Sequence, residues 1–450
     1  MQVKKIKKGL DIPLKGKASQ VTRALTQPTD YIAIKPADFI NVLPQLIVNP
    51  GEHIKAGAPL FRNKYDENIV FTSPVSGVVM EPIRGDKRLI LEISVKPDTE
   101  IIYEDFGQHD VSSMKAEEIR SSLIKSGLWT FIRQRPYDLI PATDSSPRDI
   151  YISTFDTAPL APDYNYLLKD KMNSFQAGID ALAKLTAGKV KLGLDACIVD
   201  NIFSSVKNAQ LLYFHGPHPA GNVGVHIHHT CPINKGETIW HLNPQDVAMI
   251  GKMLTEGIYD ARRTIAVTGP EANNPSYREI IIGSNLKNTI ADHTTTQGHI
   301  RIISGNALTG STVKPDGFLG YYHHQLTIIT EGDYYEFIGW ATPGLRKFSN
   351  SRVFFSWLFP GRKYDFDTNY HGGHRPLVMS GQYEKVFPFT ILPVFLIKSI
   401  ITQDIEKMEN LGIYEVAPED FALCDYVCTS KTEVQKIVRE GLEMLRKEMS

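Results

Sequence analysis

The densest chemistry in the sequence lies between His215 and Pro232, HGPHPAGNVGVHIHHTCP, with five of the 14 histidines and one of the four cysteines. Imidazoles and thiols ligate zinc, and imidazoles exchange protons near neutral pH. The apolar run Leu211–Phe214 before it reads as a buried strand. Gly and Pro then read as a tight loop, and Val-His-Ile-His as a second strand. On a strand, His226 and His228 share a face and His229 takes the other. His215, His218 and Cys231 are the remaining donors of the stretch. A structural zinc wants four donors at about 2.0–2.3 Å, and no full set is visible. The leading reading is that His215, His218, His226 and His228 are structural, satisfied by backbone and neighbours. A metal site and a pH-sensitive or interface role are the alternatives. Cys424 and Cys428, one helical turn apart, read as buried thiols.

The elements that would hold these residues follow from periodicity. Residues 1–100 are short β-rich runs punctuated by turns, as in VNPGEHIKAGAPLF and IVFTSPVSGVV. This pattern resembles biotinyl and lipoyl carrier domains and related barrel-sandwich hybrids. Lys64, near the hairpin a carrier would use, lacks their flanking residues and reads as a plain solvated lysine. Residues 101–255 alternate strand and helix. Ile119, Leu123 and Leu128 make one helix face, and Phe175, Ile179 and Leu182 another. Asp149–Phe155 and Lys189–Leu194 are strands, and Asn243 caps a helix with Pro244 at its first position. Strand, helix, strand at this spacing predicts a mainly parallel sheet. No G-x-G-x-x-G, P-loop, G-x-S-x-G or H-E-x-x-H motif occurs. The Rossmann-like domain is therefore expected without its dinucleotide. Residues 256–330 are again strand-rich. Beyond them Phe348, Phe354, Phe355, Trp357 and Phe359 interleave with Arg346, Lys347, Arg352, Arg362 and Lys363. Such a stretch meets a membrane surface or a neighbouring protein of a complex, or is a core with solvated charges. Ser430 to Glu433 has the spacing of a capping box opening a last amphipathic helix.

Composition sets the bounds. A chain of 450 residues suggests about three domains. A formal net charge of -1 gives no global pull toward nucleic acid. Four cysteines make no disulfide framework. The basic start lacks the apolar core of a signal peptide, and the longest apolar run, Phe387–Ile401, is broken by Pro388, Pro393 and Lys398. Membrane contact is expected to be peripheral.

Several blocks, in order, carry a more specific message: KKGLDIPLKG, SGLWTFIRQRPYDLIPA, FDTAPLAP, FHGPHPAGNVGVHIHH and LGIYEVAPEDFALCDYVC. Together they resemble the A-subunit family of sodium-translocating NADH:quinone oxidoreductases over essentially the whole chain. The resemblance implies four parts: a barrel-sandwich hybrid (1–100), a Rossmann-like α/β domain (101–255), an SLBB-like β-grasp domain (256–330) and a mainly helical C-terminal region (331–450). It implies a six-subunit translocase of the bacterial inner membrane that passes electrons from NADH to a quinone such as ubiquinone and exports sodium. This component would be peripheral on the cytoplasmic side. Its partners would be the five other components, lettered B to F, above all the quinone- and flavin-bearing membrane component B. FAD, FMN and iron–sulfur centres are expected on those partners, and no cofactor on this chain. A more distant likeness runs to the C component of the Rnf complex and the flavin-bearing component of complex I. This chain lacks their Cys-x-x-Cys-x-x-Cys runs and glycine-rich flavin loop.

A quinone head needs a flat apolar slot and donors for its carbonyl oxygens. Trp129, Phe131 and Tyr137 are candidate walls, and Arg133 and Arg135, sharing a face of an extended segment, are candidate donors. The competing reading has both arginines in salt bridges or an interdomain contact. A scaffold that only docks the membrane components remains the alternative function. No catalytic residue is expected on this chain.

Overall fold

The computed structural model describes residues 2–24, 29–294, 299–339 and 343–449. Its central sheet has six strands: β1 (Val3–Lys5), β2 (Arg133–Arg135), β3 (Ile150–Ser153), β4 (Val190–Asp195), β5 (Gln210–His215) and β6 (Ile239–Leu242). Their spatial order is β1-β5-β4-β3-β6-β2. The first five run parallel and β2 closes one edge antiparallel. Parallel neighbours cannot be joined by a tight turn, so crossovers cover the sheet. Three helices serve here: α1 (Met172–Ala183), α2 (Val223–Thr230) and α3 (Pro244–Glu256). The chain moves outward from β3 to β4 and β5, then returns to the other side of β3 as β6. Strand order therefore reverses between β3 and β6, the crevice where open α/β sheets bind ligands.

Helices α1 and α3 cross at two glycines. A Cβ at Gly251 would lie 1.8 Å from the Ser174 carbonyl oxygen, and one at Gly178 would lie 2.1 Å from that of Val247. Backbone meets backbone there, leaving no side chain to yield.

The histidine stretch departs from the strand expected of it. Residues 223–230 are helix α2. Two positions apart on a helix differ by about 200°, so His226 and His228 point to opposite sides.

The barrel-sandwich hybrid packs strands Ile32–Ile34, His53–Ile54, Gly77–Val79 and Ile90–Pro97 against the meander Pro44–Leu46, Pro59–Asn63 and Asp66–Thr72. Phe61 stacks on Phe71 with centroids 4.4 Å apart. Lys64 is exposed at the hairpin tip between two of these strands. A second six-stranded sheet orders Ser311–Val313, Ile300–Ser304, Gln325–Thr330, Arg262–Thr268, Ser276–Ile281 and Ser19–Arg23.

Two expected boundaries shift. Within 1–100, Val3–Lys5 joins the α/β sheet and Ser19–Arg23 the second six-stranded sheet. These short strands gain a ladder only at the edges of sheets made elsewhere. Within 331–450, helices occupy Tyr383–Met449, and the described residues before them hold a single 3-10 turn, Phe355–Leu358. Gly332, Gly339, Gly344, Gly361, Gly372 and Gly373 interrupt any helical run there. The last helix, Val434–Met449, starts on Asp425, whose carboxylate accepts the N–H groups of Val434 and Gln435. Ser430 donates instead to the Pro376 carbonyl. Pro393 opens helix Pro393–Ile401, which buries Leu396, Ile397 and Ile400. Among the described residues no helix is long and apolar enough to cross a membrane.

Gly251→Val should lower stability by roughly 1–3 kcal/mol through overpacking. A lower urea midpoint for the α/β domain checks it; an unchanged midpoint contradicts the crossing described.

Candidate functional site

Alternation places Arg133 and Arg135 on one face of β2, where Arg133 pairs in register with His241 of β6. Their surroundings then differ. Arg135 is 0% exposed and donates to Asp420 at 2.6 Å and Glu419 at 2.5 Å, both in the C-terminal region. Asp420 also accepts the Ala417 N–H at 2.9 Å. Burial works against both charges: around Arg135 the paired carboxylates outweigh it, whereas burial still holds the Asp420 carboxyl above its ordinary range despite Arg135 and the Ala417 N–H. Gly224, in the first turn of α2, makes the approach possible: a Cβ there would lie 2.4 Å from Asp420 Oδ1 and 2.5 Å from Arg135 Nη1.

Arg133 pairs with Asp138, and its guanidinium lies 5.0 Å from the centroid of the Tyr322 ring. A tight reversal, Gln134 N–H to Leu139 O at 2.7 Å, returns the chain so that Asp138 can reach it. Asp138 also faces His241 at 3.3 Å and Arg439 at 3.4 Å. Burial raises the Asp138 carboxyl, but Arg133 and His241 outweigh it and hold it well below the usual range.

These groups border a cavity of about 620 Å³ lined by Phe131, Arg133, Asp156, His241, Tyr322 and Arg439, among others. It opens at the carboxyl ends of β3 and β6, at the reversal of strand order. The Phe155–Pro162 loop after β3 carries Asp156 into it. Burial, aided by Glu419, pushes the Asp156 carboxyl up to about 6.

The five residues named for a quinone do not converge on one surface. Phe131 and Arg133 line the cavity. Trp129 is not in its lining; it is buried, donating its ring N–H to Pro141 O at 2.9 Å and meeting Trp240 edge-on. Arg135 is consumed by its ion pairs. Tyr137, at φ 76°, turns away and packs on the C-terminal core.

The four histidines also separate. His218 lines the cavity, its Nδ1 3.1 Å from Thr157 Oγ1, and burial lowers it to about 4. His226 stacks on Phe214 at 4.0 Å and its Nε2 meets Ala220 O at 2.8 Å; burial lowers it to about 3. His228 is held between Glu415 at 2.7 Å and the Thr390 N–H at 3.1 Å. His215 is exposed, beside Cys197. Sequence reasoning missed Asp156, His241, Tyr322 and Arg439. The run Tyr321-Tyr322-His323-His324, directly before a strand, was the visible signal.

With this geometry in hand, comparison with known proteins is decisive. Family descriptions match in order: "NqrA N-terminal barrel-sandwich hybrid domain" over 4–98, "NqrA second alpha/beta domain" over 114–259 and "NQRA C-terminal domain" over 264–314. The A-subunits of Na(+)-translocating NADH-quinone reductase from Rhodopirellula baltica and Vibrio atlanticus are each 36% identical to this chain. The alignments cover 99% of this chain and 98% of the first relative, and 98% and 99% for the second. The chain belongs to the A-subunit family of Na(+)-translocating NADH-quinone reductases. The namesake from Shewanella frigidimarina is 34% identical over 98% of this chain and 99% of its own length. Among solved structures, an NAD+-reducing [NiFe]-hydrogenase aligns with 68% of this chain and 70% of its own, at 10% identity and TM-score 0.33.

The Asp156 carboxyl carries a signed pH dependence. Its value near 6 lies above the ordinary 3.8, so its contribution is full below 3.8 and lost as pH rises through 6. Asp156→Asn should remove a fall of roughly 2 kcal/mol across that window, cavity water screening part of the shift. Urea midpoints of both proteins from about pH 4 to 7 check it; parallel curves refute it.

Proposed function

We propose that this chain is the peripheral, cytoplasmic-side A-subunit of a sodium-translocating NADH:quinone reductase, where it contributes to quinone binding and to assembly. Full-length similarity to the A-subunit family supports the place in the complex. The cavity at the strand-order reversal carries the ligand reading. A quinone ring would lie among Phe131, Tyr322 and Arg133, whose guanidinium offers N–H donors to a carbonyl oxygen or a reduced oxyanion. Asp156 adds a carboxyl that exchanges protons near pH 6. NADH oxidation, sodium transport and the chemistry of FAD, FMN and iron–sulfur centres are assigned to the other five components.

Assembly rests on a different surface. Phe337 is 92% exposed, Trp357 and Phe359 52% each, and Arg352 lies over the Trp357 ring at 5.9 Å. Exposed aromatics with cations suit a partner at the inner membrane, with the membrane component B as the first candidate. The scaffold reading draws on the same surface and on the mutual pairing of Arg133 and Asp138, which occupies the donor a ligand would use.

Calorimetric titration of the purified chain with a short-chain quinone separates the two. The ligand reading expects saturable binding, weakened more than about tenfold in Arg133→Ala, the equivalent of about 1.4 kcal/mol. Absence of binding in the wild-type chain overturns it and leaves the scaffold. For assembly, Trp357→Ser with Phe359→Ser should reduce co-purification with the membrane components while leaving the urea midpoint unchanged. Undiminished co-purification would exclude this face as the contact.

A further inference from the structure

On the far side of β3 from the cavity, three donors of different chemistry meet at the carboxyl edge of the central sheet. Asp195 ends β4 and His215 ends β5, which are hydrogen-bonded neighbours with Asp195 opposite Phe214. Cys197 follows two residues later. Its N–H donates to Asp195 Oδ1 at 2.9 Å, and the Ala196 N–H to Phe214 O at 2.9 Å, so the chain folds back over the strand ends. The Cys197 thiol then lies 3.0 Å from His215 Nδ1. One donor atom from each residue falls within 4.8 Å of the others.

We propose that Asp195, Cys197 and His215 form a binding site for a borderline-soft divalent transition metal, with Zn2+ the best match. Zinc bonds of about 2.0–2.3 Å in a tetrahedron put donor atoms about 3.3–3.8 Å apart. The thiol and imidazole at 3.0 Å sit just inside that spacing, and all three donors fall within 4.8 Å, so small rotamer shifts bring them to it. Thiolate with imidazole selects zinc-like ions over Mg2+ and Ca2+, which prefer all-oxygen sets. A carboxylate beside a thiol opposes a bare thiolate nucleophile, whereas a cation between them favours both anions. Three protein ligands leave a fourth position for water or an incoming ligand, as in open zinc sites.

The backbone supports the donors in advance. His215 is fixed by β1, in register with Lys5 and with its carbonyl accepting the Ile6 N–H at 2.8 Å. Two donors thus sit at the ends of ladder-bonded strands, which hold a ligand set more tightly than free loops do. The histidine-rich stretch therefore contributes one ligand, and its partners come from the previous strand end. Bound metal would fasten the exposed loop after β4, where Val199 is 93% exposed, to the neighbouring strand.

Cobalt(II), a spectroscopic stand-in for zinc, tests this on the metal-free full chain. The expected result is a thiolate-to-cobalt charge-transfer absorption saturating at one equivalent and displaced by Zn2+. Cys197→Ser should abolish it. Asp195→Asn and His215→Ala should weaken binding by at least about tenfold, the loss that even outer partners of a metal site produce. Cys231→Ser, at a half-buried thiol nearby in sequence, should leave it unchanged. Far-UV circular dichroism of each variant confirms the fold. No thiolate band in the wild type, a band persisting in Cys197→Ser, or one lost in Cys231→Ser would each overturn the proposal.

Discussion

The buried ion pair between Arg135 and Asp420 holds the functional half of the molecule together. It joins an edge strand of the α/β sheet to the region before the last helix, across 285 residues of sequence. Removing one partner of such a pair costs about 3–5 kcal/mol, because the survivor is left charged in a dry site. Around it the contacts become mutually dependent. Glu419 binds the second nitrogen and Gly224 yields the space. The neighbouring Arg133 is thereby placed on the cavity side of the same strand. One arginine fastens domains while the other, two residues away, is presented to ligand-sized space.

Much of the architecture could be read from local pattern. The barrel-sandwich turns, the alternation of strand and helix over 101–255 and the Asn243 cap before Pro244 all obey short-range rules, and the Asn243 side chain accepts the Gln245 N–H at 3.0 Å. What escaped depended on distant partners. Ser430 had the spacing of a cap, yet Asp425 supplies the carboxylate. Val3–Lys5 and Ser19–Arg23 carry no periodic signal for the sheets they join, because an edge strand is specified by its neighbour's free ladder.

In the histidine stretch, topology prevails over local pattern. Leu211–Phe214 lies in a parallel ladder, so the chain must cross over before its next parallel strand, and helix α2 opens that crossover. Alternating Val-His-Ile-His matched the strand template locally, and topology overrode it. The site was similarly half legible. Phe131 is legible as a candidate wall and Arg133 as a candidate donor, whereas Asp156, His241, Tyr322 and Arg439 converge only through the fold.

The two displaced N-terminal strands bear on how the protein is made. Val3–Lys5 leaves the ribosome some two hundred residues before its partner Gln210–His215, and the partner of Ser19–Arg23, Ser276–Ile281, emerges later still. Both early segments must therefore wait unpaired while the barrel-sandwich hybrid behind them can already close on local contacts. Contacts of such long sequence separation form slowly, since loop closure precedes any gain from pairing. Synthesis thus runs from the amino to the carboxyl end, whereas β1 is among the late pieces to find its place.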